Sequence, residues 1–396
     1  MKNTFLTLAI ASMLLISCGE DDTADIIINN TDNSINNNTT GSTTDPNAGE
    51  VINISGTYVQ DLTLEAKNQY TLNGALVMAE GTTLTIEAGT TIEALAAGSD
   101  IYIAIAQGAK IQANGTSDAP IIMTSNSSAP QAGDWGGLII LGKAPINSVA
   151  TGTSTSEIGG LPYGGTDPTD NSGTIRYVRV QYSGGKADGQ SENNGFSFYG
   201  VGNSTTVEYI QMFEGLDDGL EFFGGTVNVS YVSVVNAQDD SIDWTEGFSG
   251  KVTNVYVKHG ADHDKAFECD GYNTDIGNNS SPKFFSAPEV TNVTVVSAND
   301  ASEAIRLRAG TQGVFTNIVL NNFDEGFDLD GDTGDNPTGQ GVLDALLKVV
   351  DITFNNVTTK MKNDTGFTFT ETDFISGDGN GTGTDYTSWG AGWTIQ

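Results

Sequence analysis

Acidic side chains stand at matching positions of a repeated segment in the second half of the chain. Two consecutive copies are wholly acidic, and together they contain Asp217, Asp218, Glu221, Asp239, Asp240 and Asp243. On neighbouring strands of one sheet, such carboxylates would lie about 5 Å apart and repel one another. Hard oxygen ligands of this kind suit calcium. We therefore expect calcium here, with screening of the charges by solvent as the alternative.

A second acidic segment contains Asp328, Asp330 and Asp332, with a spacing similar to that of a calcium-binding loop. However, Thr333 stands at the position where such a loop has its glycine, and no glutamate follows at the twelfth position. The segment is therefore predicted to be an acidic turn that could hold calcium, and not an EF-hand.

Basic residues interrupt the acidic pattern at one place on the repeat. A calcium-dependent polysaccharide lyase would need a lysine or arginine there as the base for β-elimination on a polyuronate. The candidate catalytic residues are Lys265, Arg306, His263 and Arg308. Charge balance within an acidic stack would produce the same group, so both interpretations stay open.

Two other chemistries are compatible with the same region. A glycoside hydrolase uses paired carboxylates, but stacked acidic residues meet its distance criterion automatically, so that criterion does not discriminate. His259 and His263 could bind a transition metal together with Asp262 or Asp264. Idle histidines in a surface loop are the alternative.

The interpretation that we favour is a platform without catalysis that binds a glycan or a surface protein. Exposed aromatic rings suit sugars, and the candidates are Tyr199, Phe223, Tyr272, Trp389 and Trp393. Packing in the core or at the end of the fold is the alternative, and for the two tryptophans it is favoured. The net charge of −34, from 50 acidic and 16 basic residues, argues against a nucleic-acid partner and favours cations.

The acidic positions belong to a repeated motif of one small residue followed by apolar, polar and apolar residues. Its copies are Gly195–Phe198, Gly219–Phe222, Ser241–Trp244, Ala266–Cys269, Ala304–Leu307, Gly326–Leu329 and Gly366–Phe369. The basic period of 22–25 residues, with two insertions, predicts an all-β, right-handed parallel β-helix. The middle residues would form one outward column: Ser197, Glu221, Asp243, Glu268, Arg306, Asp328 and Thr368.

A second strand precedes each copy of the motif. Its third position is a tyrosine in the earlier copies and an asparagine in the later ones. The tyrosines are Tyr177, Tyr209 and Tyr231, and the asparagines are Asn254, Asn292, Asn317 and Asn356. Asparagine tolerates the left-handed conformation at a corner, and stacked side-chain amides can bond to one another. We therefore expect a structural asparagine ladder and, before it, stacked tyrosine rings.

The amino terminus is predicted to be a secretory signal at residues 1–17, followed by Cys18 in a sequence similar to a bacterial lipobox. Lipidation of Cys18 would anchor the protein in the outer membrane, exposed at the cell surface, through a polar tether. The predicted division is a signal at 1–17, a lipidated cysteine and tether at 18–50, and a β-helix at 51–396. Within the β-helix we expect first coils at 51–142, an insertion at 143–173, repeat coils at 174–369 and a terminal cap at 370–396. The repeat coils carry two further insertions, at 271–289 and 331–348.

Three segments resemble a family of surface lipoproteins of the Bacteroidota. They are Gly81–Thr90, Gly133–Asn147 and Gly392–Thr394, and the second is the most specific. The resemblance covers nearly the whole chain after the leader and implies a right-handed parallel β-helix, without an established activity. Some members are labelled multidrug transporters, but this sequence has no apolar segment long enough to span a membrane.

Overall fold

The computed structural model describes residues 49–187, 193–273, 284–331 and 338–396, with the backbone alone at residues 298–302. The predicted signal peptide, Cys18 and nearly all of the predicted tether lie outside these residues, as does Asp332. Among the described residues, no helix is long and apolar enough to cross a membrane.

Short strands make up most of the described chain, and 21 of them form one sheet. The first strands are β1 (Val51–Tyr58), β2 (Leu62–Leu64), β3 (Gln69–Met78), β4 (Thr83–Ile86), β5 (Thr91–Ala94), β6 (Gly98–Ile105), β7 (Lys110–Asn114), β8 (Ile121–Ser125), β9 (Trp135–Leu141), β10 (Ser154–Thr155) and β11 (Pro162–Tyr163). The later strands are β12 (Gly173–Gln181), β13 (Phe196–Tyr199), β14 (Thr206–Gly215), β15 (Leu220–Phe223), β16 (Asn228–Ala237), β17 (Ile242–Thr245), β18 (Lys251–Lys258), β19 (Phe267–Asp270), β20 (Glu289–Arg308), β21 (Gly313–Leu329), β22 (Leu347–Asn363) and β23 (Ile375–Asp378). Three short helices follow in the last sixty residues, α1 (Thr338–Leu343), α2 (Glu371–Phe374) and α3 (Tyr386–Trp389).

The strands pair in parallel from coil to coil along three ladders, which confirms the right-handed parallel β-helix. The first ladder contains β2, β4, β7 and the opening residues of β12, β14, β16, β18, β20, β21 and β22. The second continues the same long strands, as in the pairing of Ile210 with Val232 and of Val232 with Val255. The third contains β6, β9, β13, β15, β17, β19 and the closing residues of β20, β21 and β22.

Most inward residues of the three ladders are apolar and fully buried, as at Leu220, Ile242 and Phe267 on the third ladder. Burial of this stack drives the fold, since each coil covers the apolar face of the next. Cys269 is a buried free thiol in the same interior.

Left-handed residues form the corner between the first and second ladders. The first corner column consists of Tyr177, Tyr209, Tyr231, Asn254, Asn292, Asn317 and Asp351, all with φ between 48° and 61°. The tyrosine rings stack with centroids 4.4 and 4.2 Å apart. The Asn292 amide donates to Asn254 Oδ1 at 3.0 Å, and the Asn317 amide donates to Asn292 Oδ1 at 2.8 Å. The ladder expected for these three asparagines is therefore present.

Asn356 does not belong to the first corner column, contrary to the expectation. Asp351 occupies that place, because Ile352 pairs with Ile318. Asn356 instead lies in the corner after the second ladder, where its amide donates to Asn322 Oδ1 at 3.2 Å. Left-handed residues of this second corner column are Tyr182, Glu214, Asn236, Asn322 and Asn356.

The seventh copy of the motif, predicted at Gly366–Phe369, also lies in a different segment from the one expected. Leu347 already pairs with Gly313, so the last coil begins within the predicted insertion 331–348 and its third-ladder strand comes early. Lys362 pairs with Asp328, whereas Thr368 lies beyond the strand. The outward column therefore ends on a cation.

The insertion at 143–173 folds back over the outside of the third ladder. It carries the antiparallel pair β10 and β11, and Ile146, Ile158 and Tyr163 form a second hydrophobic cluster with Tyr199 and Phe223. Tyr199 and Phe223 are each only 2% exposed, so the expectation that they offer a sugar platform is wrong.

The last residues run back along the outside of the second ladder after β23 pairs with β22. Tyr386 stacks on Tyr256 with ring centroids 3.8 Å apart, and Trp393 meets the edges of Tyr177 and Tyr209 at 5.4 and 6.3 Å. Trp393 is fully buried by these contacts, in agreement with its predicted packing role.

Candidate functional site

The third ladder brings the predicted site residues onto one outward column. Parallel pairing puts Ser197 beside Glu221, Glu221 beside Asp243, and Asp243 beside Glu268. The column continues with Arg306, Asp328 and Lys362. We call the two coils from Asp217 to Thr245 the acidic coils, and the following coils, from Asp264 to Lys362, the mixed-charge coils.

Three carboxylates of the acidic coils converge. Asp218, Glu221 and Asp243 each offer an oxygen, and these oxygens lie within 4.8 Å of one another. Asp218 is buried, and its Oδ1 accepts the backbone N–H of Asp240 at 2.9 Å. Asn194 donates to Glu221 Oε2 at 2.6 Å. The Asp243 Oδ1 atom is buried and has no hydrogen-bond partner among the described residues.

Burial makes these carboxylates difficult to ionise. It raises the pKa of Asp218, Glu221 and Asp243 well above the ordinary values, and the neighbouring carboxylates raise each pKa further. Burial and Glu268 raise the pKa of Asp240 in the same way, although Lys265 opposes the effect. The acidic coils therefore need a proton or a bound cation to stay closely packed.

Lys186 is the only lysine or arginine between residues 181 and 250. Its Nζ lies 3.4 Å from Asp217 and 3.8 Å from Asp239, at the turn that leads into the acidic coils. Sequence reasoning missed this residue, although its isolation within an acidic stretch was a usable signal. The ion pair involves Asp217 and Asp239 and leaves the charge of the inner triad of Asp218, Glu221 and Asp243 to be balanced otherwise.

The mixed-charge coils supply their own cations. Lys265 is buried, with Nζ 2.7 Å from Asp264, 3.0 Å from Glu268 and 3.7 Å from Asp240. Burial lowers the pKa of Lys265, but these carboxylates outweigh burial and leave it above the ordinary value. Arg308 is paired with Glu268 at 2.7 Å and with Asp270 at 2.5 Å.

A cleft of about 450 Å³ opens beside this network. Glu303, Glu325 and Asp328 line it and bring their carboxylate oxygens within 4.8 Å of one another. Arg306 lies 2.8 Å from Glu303 and 3.6 Å from Asp328. Burial raises the pKa of Glu303 to about 7. Arg306 and Lys265 oppose this rise in pKa, whereas Asp328 adds to it. Glu303 could therefore exchange a proton near neutral pH.

The four candidate lyase residues lie on adjacent coils, but they are held in ion pairs or stacked. A lysine whose pKa is raised by three carboxylates is a poor base, and the guanidinium groups of Arg306 and Arg308 are each held by two carboxylates. The His263 ring stacks on His259 at 4.2 Å, and its Nδ1 contacts the backbone oxygen of Asp264 at 2.8 Å. Burial and His263 lower the pKa of His259 to about 3. No group of three potential metal ligands in the described part of the chain includes either histidine.

The second acidic segment is divided by the fold. Asp328 joins the mixed-charge cleft, where Lys362 lies 3.5 Å away. Asp330 caps the following turn, because its Oδ1 accepts the backbone N–H of Gly331 at 2.9 Å. The structure therefore groups Asp328 with Glu325 of its own coil and with Glu303 of the preceding coil, a set that spacing within the acidic segment did not reveal.

The fold and the outward column together define a parallel β-helix with a charged, outward-pointing ladder. A family model described as a pectate-lyase like β-helix domain matches residues 56–394, and the chain belongs to this family. A comparison with curated proteins finds no match. Among solved structures, the chain is similar to the catalytic unit of a thermostable GH87 α-1,3-glucanase from Streptomyces thermodiastaticus strain HF3-3, with 10% identity and a TM-score of 0.35. The alignment covers 80% of this chain and 64% of that one, and so weak a likeness carries no argument about activity.

Proposed function

We propose that this chain is a cell-surface β-helix that binds calcium on its acidic coils and displays its outer face to a glycan or protein partner, without catalysis. The observation that carries the proposal is the convergence of Asp218, Glu221 and Asp243, whose oxygens lie within 4.8 Å of one another. Only Lys186 supplies a lysine or arginine charge between residues 181 and 250.

Calcium suits this triad better than magnesium does. Calcium accepts six to eight oxygen ligands in a flexible geometry, whereas magnesium demands a near-ideal octahedron and sheds its water reluctantly. Three carboxylates from two adjacent coils, together with water, give such a flexible set. The bound ion would hold Asp218, Glu221 and Asp243 ionised at neutral pH despite the burial that raises each pKa.

The proposed cell-surface address rests on the leader. Cys18 and the acidic residues directly after it support a lipid anchor in the outer membrane with the β-helix held outside. Calcium is readily available there, and the net charge of −34 favours its accumulation near the protein.

Ion pairing counts against β-elimination at the mixed-charge coils. The proposed base Lys265 keeps its proton, since the carboxylates of Asp240, Glu268 and Asp264 outweigh the effect of burial. One observation favours a second candidate function, the hydrolysis of a glycosidic bond. Glu303, with a pKa of about 7, could protonate a leaving group, and Glu325 or Asp328 could supply the second carboxylate.

Calorimetric titration of the purified full chain with calcium chloride tests the proposal. We expect saturable binding that Glu221→Gln and Asp243→Asn each weaken by tenfold or more. The matched control Glu303→Gln, on the mixed-charge coils, should bind as the unchanged chain does. No saturable binding, or equal loss in all three variants, would contradict the calcium site.

A separate assay tests hydrolysis. The chain is incubated with a panel of oligosaccharides, and new reducing ends are measured across pH 5 to 9. Activity that disappears in Glu303→Gln would replace the non-catalytic proposal with the hydrolase.

A further inference from the structure

A second cleft, of about 600 Å³, lies at the corner after the second ladder, away from the charged cleft. One wall is formed by residues 130–132, and the other by Tyr182, Phe213 and Glu214 on two successive coils, with Gln238 from the next coil. The cleft is therefore built across three coils of a rigid ladder and not by one loop.

Two aromatic rings form the apolar part of this cleft. Tyr182 and Phe213 meet edge to face, with ring centroids 6.0 Å apart and an interplanar angle of 88°. Both side chains are half-buried, so each ring is fixed on one side while part of it faces solvent. A fixed ring of this kind can stack against the apolar face of a sugar. The Tyr182 hydroxyl has no hydrogen-bond partner among the described residues.

The backbone at this corner is strained only where it lines the cleft. The second corner column uses asparagine at Asn236, Asn322 and Asn356, the residue that best tolerates a left-handed backbone after glycine. Its other two left-handed residues are Tyr182, with φ 61°, and Glu214, with φ 57°, and both line the cleft. Strain retained at two cleft positions, where asparagine serves elsewhere in the column, points to a role for these side chains beyond the fold.

The polar groups of the cleft suit hydroxyl groups better than charges. The side-chain amides of Gln131 and Gln238 are exposed, and the structure gives them no protein partner in the described part of the chain. Glu214 is held by Asn236, whose amide donates to its Oε1 at 2.6 Å. No lysine or arginine is among the described residues that line this cleft, so a polyanion would find no counter-charge.

We propose that this cleft is a binding subsite for an uncharged oligosaccharide, with Tyr182 and Phe213 as the stacking platform and the amides of Gln131 and Gln238 as hydrogen-bonding partners for sugar hydroxyls. The inference rests on the proposed function as a glycan-binding platform and names its ligand class. Aromatic rings with flanking amides match the alternating apolar faces and hydroxyl edges of a neutral sugar chain.

The purified full chain is titrated calorimetrically with cellohexaose, laminarihexaose, maltohexaose and xylohexaose, and with hexagalacturonate as the charged comparison. We expect at least one neutral hexasaccharide to bind, and hexagalacturonate to bind no better. Tyr182→Asn should weaken the binding about tenfold or more, because it removes the ring and keeps a residue that accepts the left-handed backbone. Tyr182→Phe should retain the binding. Tyr58→Ala, at a half-buried tyrosine at the end of β1, should leave it unchanged.

The outcomes separate this inference from the proposed function. If no neutral hexasaccharide binds, or if Tyr182→Asn binds one as tightly as the unchanged chain does, the subsite is overturned. Calcium titration of Tyr182→Asn reports independently on the acidic coils, so a failed subsite and a failed calcium platform give different results. Circular dichroism melting of Tyr182→Asn checks that the coil is intact, and we expect no loss of stability, since asparagine relieves backbone strain.

Discussion

The acidic coils and the mixed-charge coils occupy the same outward column of the same ladder, yet they balance charge in different ways. In the mixed-charge coils, Lys265 and Arg308 both pair with Glu268, and Arg306 pairs with Glu303. In the acidic coils, the carboxylates of Asp218, Glu221 and Asp243 converge without a lysine or arginine within salt-bridge distance of the triad among the described residues.

This difference shows that the coil geometry alone does not decide whether a carboxylate ladder is stable. Parallel pairing imposes the same short spacing on every coil. The chain meets the resulting repulsion with its own cations in one region, and we propose that it uses calcium in the other. The mixed-charge coils should therefore depend on particular side chains, and the acidic coils on the solution around them.

The largest expected effect comes from removing the central cation of the mixed-charge coils. Lys265→Met leaves Asp240, Asp264 and Glu268 without their shared partner, and breaking a buried ion pair in this way costs about 3–5 kcal/mol. Urea unfolding measures this loss. Lys362→Met is the matched control, since its side chain is 42% exposed and surface pairs contribute about 0–1 kcal/mol. Equal losses in the two variants would show that burial of Lys265 does not matter.

The acidic coils should respond to calcium where the mixed-charge coils do not. Calcium at a hundred times its Kd should raise the free energy of unfolding by about 2.7 kcal/mol, because it binds the folded chain alone. Thermal melting with calcium and with excess chelator measures the gain. Asp218→Asn should abolish most of it, whereas Glu325→Gln should keep it. A calcium gain that survives Asp218→Asn would move the ion away from the acidic coils.

Sequence reasoning reached the architecture because small, apolar and polar residues recur with the period of one coil. It failed where residue type and coil boundary diverge. Asp351 tolerates a left-handed corner much as asparagine does, but the prediction placed Asn356 in the first corner column instead. The predicted register of the last coil was therefore wrong. Lys362 was consequently missed as the end of the outward column.

The acidic triad could be predicted from spacing because its members lie on two adjacent, regular coils. Glu303, Glu325 and Asp328 also lie on two adjacent coils, and Glu303 and Glu325 are one 22-residue period apart, so the same spacing could have revealed this group. The burial of Tyr199 and Phe223 depends on an insertion that folds back from elsewhere in the chain. Such contacts between distant segments leave no periodic signal in the sequence.

The pH dependence of stability should differ between the two regions. The pKa of Glu303 is raised from 4.5 to about 7, so the folded state favours its protonated form. That contribution is fully present below about pH 4.5 and is lost as the pH rises through 7. The contribution of Glu303 to the free energy of unfolding should therefore fall between pH 4 and 8. In Glu303→Gln, the free energy of unfolding should depend less steeply on pH over this range. The raised pKa values of the acidic coils should make stability change with pH in the same direction. Saturating calcium should remove this pH dependence of the acidic coils and leave the contribution of Glu303 unchanged.

The smallest expected effects are also the most discriminating, because they have opposite signs. In excess chelator, Asp243→Asn removes a like charge from the acidic coils and should stabilise the fold by roughly 0.2–1 kcal/mol, the range of cross-strand charge pairs. Glu268→Gln, one coil further along the same column, loses charged partners at Lys265 and Arg308 and should destabilise the fold by about 2 kcal/mol. Urea unfolding of both variants in chelator makes the comparison. Two losses of similar size would mean that Asp243 is already balanced within the protein, and the case for an external cation on the acidic coils would then fail.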